Sequence, residues 1–84
     1  MSTTTGKIRL ISVSADDDGL PLTFTIDRHK YRILQIYDHW RIHDTWWGDE
    51  VRRDYFRVQG SRGRICDIYH DMVTDCWYLT QVHG

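Results

Sequence analysis

Residues 30–42 read KYRILQIYDHWRI, and the fold turns on whether this run is a strand or a helix. Leu34, Ile36, Trp40 and Ile42 share one parity, while Tyr31, Ile33 and Tyr37 share the other. Apolar residues on both faces suit a strand covered on both sides, or one bent between two sheets. A helix competes, because a period of 3.6 aligns Ile33, Ile36, Tyr37 and Trp40. β-branched and aromatic residues dominate the run and no N-cap precedes it, so strand is the preferred reading.

The flanking segments extend the same pattern. KIRLISV (7–13) is rich in β-branched residues, and ADDDG (15–19) is a turn signal. LTFTID (22–27) alternates, with Leu22, Phe24 and Ile26 opposite Thr23, Thr25 and Asp27. DYFRVQG (54–60) and RICDIYH (64–70) flank the loop GSRG, and CWYLTQV (76–82) follows the tight connection DMVTD. These last three runs predict an antiparallel meander. The expected fold class is all-β: five or six antiparallel strands in a strongly curved sheet or small open barrel. A short helical turn around WGDEVRRD is the one helical feature weighed. Residues 1–6 are expected to form a flexible tail and 7–84 a single β-domain.

Composition agrees with a small aromatic core. The chain of 84 residues holds four Trp, five Tyr and two Phe, and a buried aromatic removes roughly 150–250 Å² from water. Phe24, Ile68, Trp77 and Leu79 occupy the apolar positions of alternating strands and are expected in that core. A net charge of −1 excludes an overall basic nucleic-acid binder of the histone type, though not a local patch. There is no apolar run of membrane-spanning length, and MSTTTGK lacks the apolar stretch of a signal peptide, so a cytoplasmic protein with no membrane association is expected. Cys66 and Cys76 are then reduced thiols. A connection centred on 72–73 would pair Cys66 with Leu79 and Tyr69 with Cys76, too far apart for a disulfide.

Few residues suggest chemistry. His39 and His43 would share a metal on a helix, but on a strand they lie about 13 Å apart. No metal and no cofactor are expected. The carboxylates form no catalytic pair, Ser61 has no His–Asp partner in sequence, and GSRG lacks the flanks of a phosphate-binding loop, so no enzyme is expected. The positive signal lies between 46 and 64, where five arginines meet Trp46, Trp47, Tyr55 and Phe56 against three acids. Arg53, Tyr55 and Arg57 share parity and form one row of a candidate binding face, with Trp46, Trp47 and Arg62 as further members. Arginines and exposed aromatics anchor protein interfaces, and they also stack on single-stranded nucleic acid. The bland alternative puts Tyr55 in the core and pairs the arginines with Asp49, Glu50 and Asp54.

Trp40, DTWW (44–47), RRDYF (52–56), GRICDIYHD (63–71) and CWYL (76–79) together resemble a small bacterial, tryptophan-rich domain of unknown function. That domain occurs alone and at the C-terminus of degenerate Y-family DNA polymerase homologues of mutagenic repair complexes. The resemblance covers roughly residues 20–84. Nothing in the chain supplies the metal-binding carboxylates of nucleotidyl transfer, so the resemblance implies an accessory or docking role near DNA repair. It also implies that one of Trp46 and Trp47 is structural, packed with Trp77, while the other covers a second face beside Arg53 and Tyr55. The expected function is a non-enzymatic protein-interaction module with a protein partner; the alternative is a single-stranded nucleic-acid-binding domain. An exposed sheet edge leaves monomer and homodimer both open.

Overall fold

The computed structural model describes residues 8–83. The expected tail, 1–6, lies outside them. Six strands follow one another: β1 (Arg9–Ala15), β2 (Pro21–Ile26), β3 (His29–Trp46), β4 (Asp49–Gly60), β5 (Ile65–Asp71) and β6 (Cys76–His83). Each pairs antiparallel with its neighbour, and β1 pairs with β6, so the sheet closes into a barrel. The expected all-β fold with its C-terminal meander is present, and the barrel is closed rather than open. The only helical residues among those described are a single 3-10 turn, Ser61–Gly63.

The stretch 30–42 is strand throughout, inside an 18-residue β3. Its two-faced apolar pattern has a concrete cause. Leu34 and Tyr37 are each an extra residue opposite β4, which shifts the register twice. Each such bulge inverts the alternation. Tyr31, Ile33 and Ile36 therefore all face the core despite their mixed parity. Beyond the second bulge His39 faces inward, its ring stacked on Phe56 at 4.3 Å, and Trp40 faces outward against Tyr55.

The core comprises Phe24, Tyr31, Phe56, Val58, Cys66, Ile68, Trp77 and Leu79. All four core residues read from alternation are among them. Gly60 is required where β4 crosses Phe24: a Cβ there would stand 2.9 Å from that ring. At one end of the core, His70 stacks on Trp77 at 4.5 Å, and Phe56 lies 5.7 Å from the same indole.

WGDEVRRD forms no helical turn. Trp47 and Gly48 are a two-residue hairpin loop between the paired residues Trp46 and Asp49. Both have positive φ, 50° and 89°, the signature of the tight turn that matches strand twist. Glycine suits this conformation; a bulky aromatic does not. Asp16 holds the β1–β2 turn by accepting from the N–H groups of Asp18 and Leu20. Asp71 does the same for β5–β6, accepting from Val73 and Thr74.

That second turn corrects the predicted register. Asp71 opposes Cys76 and Tyr69 opposes Tyr78, while Cys66 opposes Val82. The strand runs to Asp71, because its carboxylate supplies the turn contacts that the sequence reading assigned to the loop. Cys66 and Cys76 are both free thiols. Cys66 is fully buried, and burial pushes its thiol up to about 11, with Arg64 opposing and Asp67 adding to the shift. Thiolate is the reactive form. At pH 8 a disulfide-exchange reagent is therefore expected to label one thiol per native chain rapidly and two after denaturation. Rapid labelling of both in the folded protein would contradict the placement of Cys66.

Candidate functional site

β4 places Asp54, Phe56 and Val58 inward, so Arg53, Tyr55 and Arg57 emerge together on the outer face. Tyr55 is outside the core and half-buried. Its register partners extend the row across the barrel wall: Trp40 on β3, Tyr69 on β5, Tyr78 on β6 and Leu10 on β1. Trp40 stacks on Tyr55 at 5.4 Å, Tyr55 meets Tyr69 at 4.9 Å, and Tyr69 meets Tyr78 at 5.0 Å. Cross-strand aromatic neighbours of this kind stabilise a sheet beyond the area they bury. Tyr69 is only 4% exposed although it points away from the core. The rings on either side and the Arg53 guanidinium, 4.8 Å from its centroid, cover it.

The arginines are engaged within the row, with other partners than sequence proximity suggests. Arg53 donates to the Tyr55 hydroxyl at 3.2 Å, which with weaker contributions from Tyr69, Tyr55 and Asp71 raises its pKa despite desolvation. Its Nε is buried without a hydrogen-bond partner and is covered on the tyrosine side. Arg57 grips Asp67, directly opposite on β5, with two bonds of 2.8 and 3.1 Å. The acids assigned to them go elsewhere: Asp54 accepts from Arg41 at 2.6 and 3.2 Å, and Glu50 lies 3.2 Å from both Arg52 and His43.

The candidate set is thus only partly brought together. Arg62 sits on the 3-10 turn at the far end of β4, away from the row. Trp47 is not packed with Trp77; it is 94% exposed at the hairpin tip. Seven residues separate it from Trp40, about 23 Å along a strand, so it does not lie beside Tyr55. The Trp46 backbone pairs with Asp49, and its side chain lies outside the described residues. The tryptophan that covers the second face is Trp40. Trp40, Tyr69, Tyr78, Leu10 and Ile42 belong to the face and were missed. β3, β4, β5 and β6 each carry one ring of the row, but only the pairing register reveals that they line up.

Apolar surface stays accessible on the face, beside the exposed Arg57 side chain. Trp40 is 37% exposed, Ile42 40% and Leu10 68%, with Tyr55 and Tyr78 half-buried between them. No group of three or more metal-binding side chains occurs among the described residues. None of the described helical residues forms a helix long and apolar enough to cross a membrane.

Asp67 is the anchor of the row's charged border. Desolvation alone would raise its pKa, but the hydrogen bonds from Arg57 and His83 outweigh it and hold the carboxyl below its ordinary range. A depressed folded pKa stabilises the protein above the unfolded value of about 3.9, and that contribution disappears as pH falls through the folded value. Asp67→Asn is therefore expected to cost about 1–3 kcal/mol at pH 7. The gap between wild type and variant in denaturant melts should close below about pH 4; a gap that persists undiminished in acid would refute the charge account.

Trp47 tests the fold differently. Its side chain packs against little and its backbone is strained, whereas Asn tolerates positive φ. Trp47→Asn should leave the melting temperature unchanged or raise it, the equivalent of about 0–1 kcal/mol. A marked fall would show that the indole has a structural role.

Comparison with curated proteins gives no match, and comparison with solved structures gives none either. The family comparison does: residues 6–84 match the model described as "Domain of unknown function (DUF6504)". The match reaches well N-terminal of residue 20, where the resemblance of the aromatic spacing began, and takes in β1, the strand that closes the barrel. The chain belongs to this family of unknown function, DUF6504.

Proposed function

We propose that the protein is a non-enzymatic interaction module that docks a protein partner on the outer aromatic row. The observation that carries this reading is the row itself: Leu10, Tyr78, Tyr69, Tyr55 and Trp40 aligned across five strands, with apolar surface left in contact with water at both ends. Large aromatic surfaces on a rigid sheet bind with little loss of side-chain freedom. The resemblance of the aromatic spacing to the C-terminal domain of repair-polymerase homologues supports an accessory role in DNA repair or translesion synthesis.

Single-stranded nucleic acid is the second reading, favoured by the exposed stacked rings. Phosphate binding needs free cations, and here the Arg57 fork is occupied by Asp67 while Arg53 is turned onto Tyr55 and Tyr69. A net charge of −1 gives no compensating field. The protein reading is therefore preferred.

Two measurements separate them. Fluorescence anisotropy with a labelled oligothymidine should show no saturable binding at low salt. Immobilised protein should capture a defined partner from native extract, and Trp40→Ser with Tyr78→Ser should abolish that capture. The double variant loses two stacked pairs, Trp40–Tyr55 and Tyr69–Tyr78, each worth about 0.5–1.5 kcal/mol beyond the area buried, and far-UV circular dichroism verifies that it folds. Steeply salt-dependent oligonucleotide binding, or capture unaffected in the folded variant, would overturn the proposal.

A further inference from the structure

Beyond Arg32, β3 pairs with β4 on one side and with no strand on the other among the described residues. A groove of about 300 Å³ lined by Leu20, Pro21, Leu22, Ile33, Leu34 and Ile36 marks where β2 and β3 part. From Asp38 to Trp46 the ladder with β4 has no bulge, so this segment presents a regular open edge.

The direction of each backbone group on that edge follows from the turn. A two-residue loop makes Trp46 and Asp49 the hydrogen-bonded pair that closes the hairpin, and such pairs alternate along an antiparallel ladder. Asp44, Ile42 and Trp40 therefore bond toward β4, while the N–H and C=O groups of His39, Arg41, His43 and Thr45 point outward. Two contacts agree. The His39 N–H donates to Asp38 Oδ1 at 3.0 Å, and the Thr45 N–H donates to Asp44 Oδ1 at 2.8 Å. Arg41 and His43 follow Trp40 and Ile42, which have no acceptor to offer. Both ends of the open segment are capped by aspartate, and its centre is bare.

We propose that this edge pairs antiparallel with the same edge of a second copy, about a two-fold axis at Ile42, and that Asp38 and Asp44 keep the pairing weak by occupying its terminal N–H groups. Charge and geometry select the axis. A centre at Arg41 would set Arg41 against itself and Asp38 against Asp44. A centre at Trp40 would run into the bulge at Tyr37. A centre at His43 would use less of the straight segment. The axis at Ile42 uses all of it, sets no arginine or aspartate against its own kind, and opposes Arg41 to His43, which lie beside Asp54 and Glu50. Arg41 then exchanges both backbone bonds with His43 of the second copy, about four bonds around the axis, and only release of the two aspartate caps lets His39 and Thr45 add about four more. On the outer face the exposed Ile42 side chains meet each other, flanked diagonally by the two Trp40 rings. An uncovered strand edge invites this association, and charged side chains on it are a usual means of restraint.

The test is the mass of the full-length chain by sedimentation across concentration. Wild type should be monomeric at about 10 µM. Asp38→Ser with Asp44→Ser removes both caps and should lower the dimer dissociation constant at least about tenfold. Ile42→Lys in that background should restore the monomer. The proposal is overturned if the folded double variant stays monomeric up to about 1 mM, or if its dimer survives Ile42→Lys. Should the double variant not fold, hydrogen exchange on wild type decides: slower exchange of the Arg41 and His43 amides at high concentration supports the edge, and exchange independent of concentration overturns it.

Discussion

The structure depends on the register of one long hairpin. β3 must complete the barrel wall beside β2 with its first residues, then continue with β4 alone to the tip at Trp47–Gly48. A strand of strict alternation cannot bury Tyr31, Ile33 and Ile36 together, since the last has the wrong parity. The bulges at Leu34 and Tyr37 resolve this by giving each turn of the wall one extra residue, and those two side chains are left outside, 60% and 48% exposed. After the second bulge the pairing is fixed, and with it the opposition of Trp40 to Tyr55. A slip of one residue would send Trp40 inward and His39 outward, breaking the stack of His39 on Phe56 and the external row at once.

This explains which parts of the fold were legible in the sequence. Phe24, Trp77 and Leu79 lie on the regular parts of LTFTID and CWYLTQV, clear of the register shifts at Leu22 and Thr80, so parity alone could assign them to the core. Leu22, expected on the face of Phe24, is instead 49% exposed. The stretch 30–42 announced two apolar faces, and strand was the correct inference, yet no residue in it marks where the bulges fall. The last hairpin was misplaced because Asp71 resembles a loop residue; in the fold it ends the strand and bonds the turn with its carboxylate. Side-chain function at a strand end outranks strand propensity there.

The candidate site was legible along a strand and illegible across strands. Shared parity put Arg53, Tyr55 and Arg57 on one face, which the structure bears out. Ion-pair partners could not be read in this way. Asp67 lies ten residues from Arg57 and Arg41 thirteen from Asp54, while closer acids were available in sequence. Opposition across a ladder brings Cβ atoms within about 5 Å, whereas same-face neighbours on one strand stand about 6.7 Å apart. Cross-strand partners therefore win over sequence neighbours. Trp47 shows the opposite failure. Its position beside Trp46 suggested a shared structural task, but the turn geometry takes it out of the sheet.

The same economy of charge shapes the surface. Arg41, Arg52, Arg53 and Arg57 each have a partner on the barrel or the hairpin, and His39, His43, His70 and His83 each lie within 4 Å of a carboxylate. Around the outer row the cations are thus matched in place, which leaves little long-range pull on a polyanion there. Under the proposed function, recognition on this face comes at short range, from shape and from apolar area. Part of that area lies along the outer row, at Leu10, Trp40 and Ile42, the last two residues along β3 from Trp40 and on the same face. The aromatic face and the open edge of β3 are consequently adjacent parts of one surface. A second copy seated at Ile42 would cover the Trp40 end of the row and leave the Leu10 end, on the far side of the barrel wall, open to another partner.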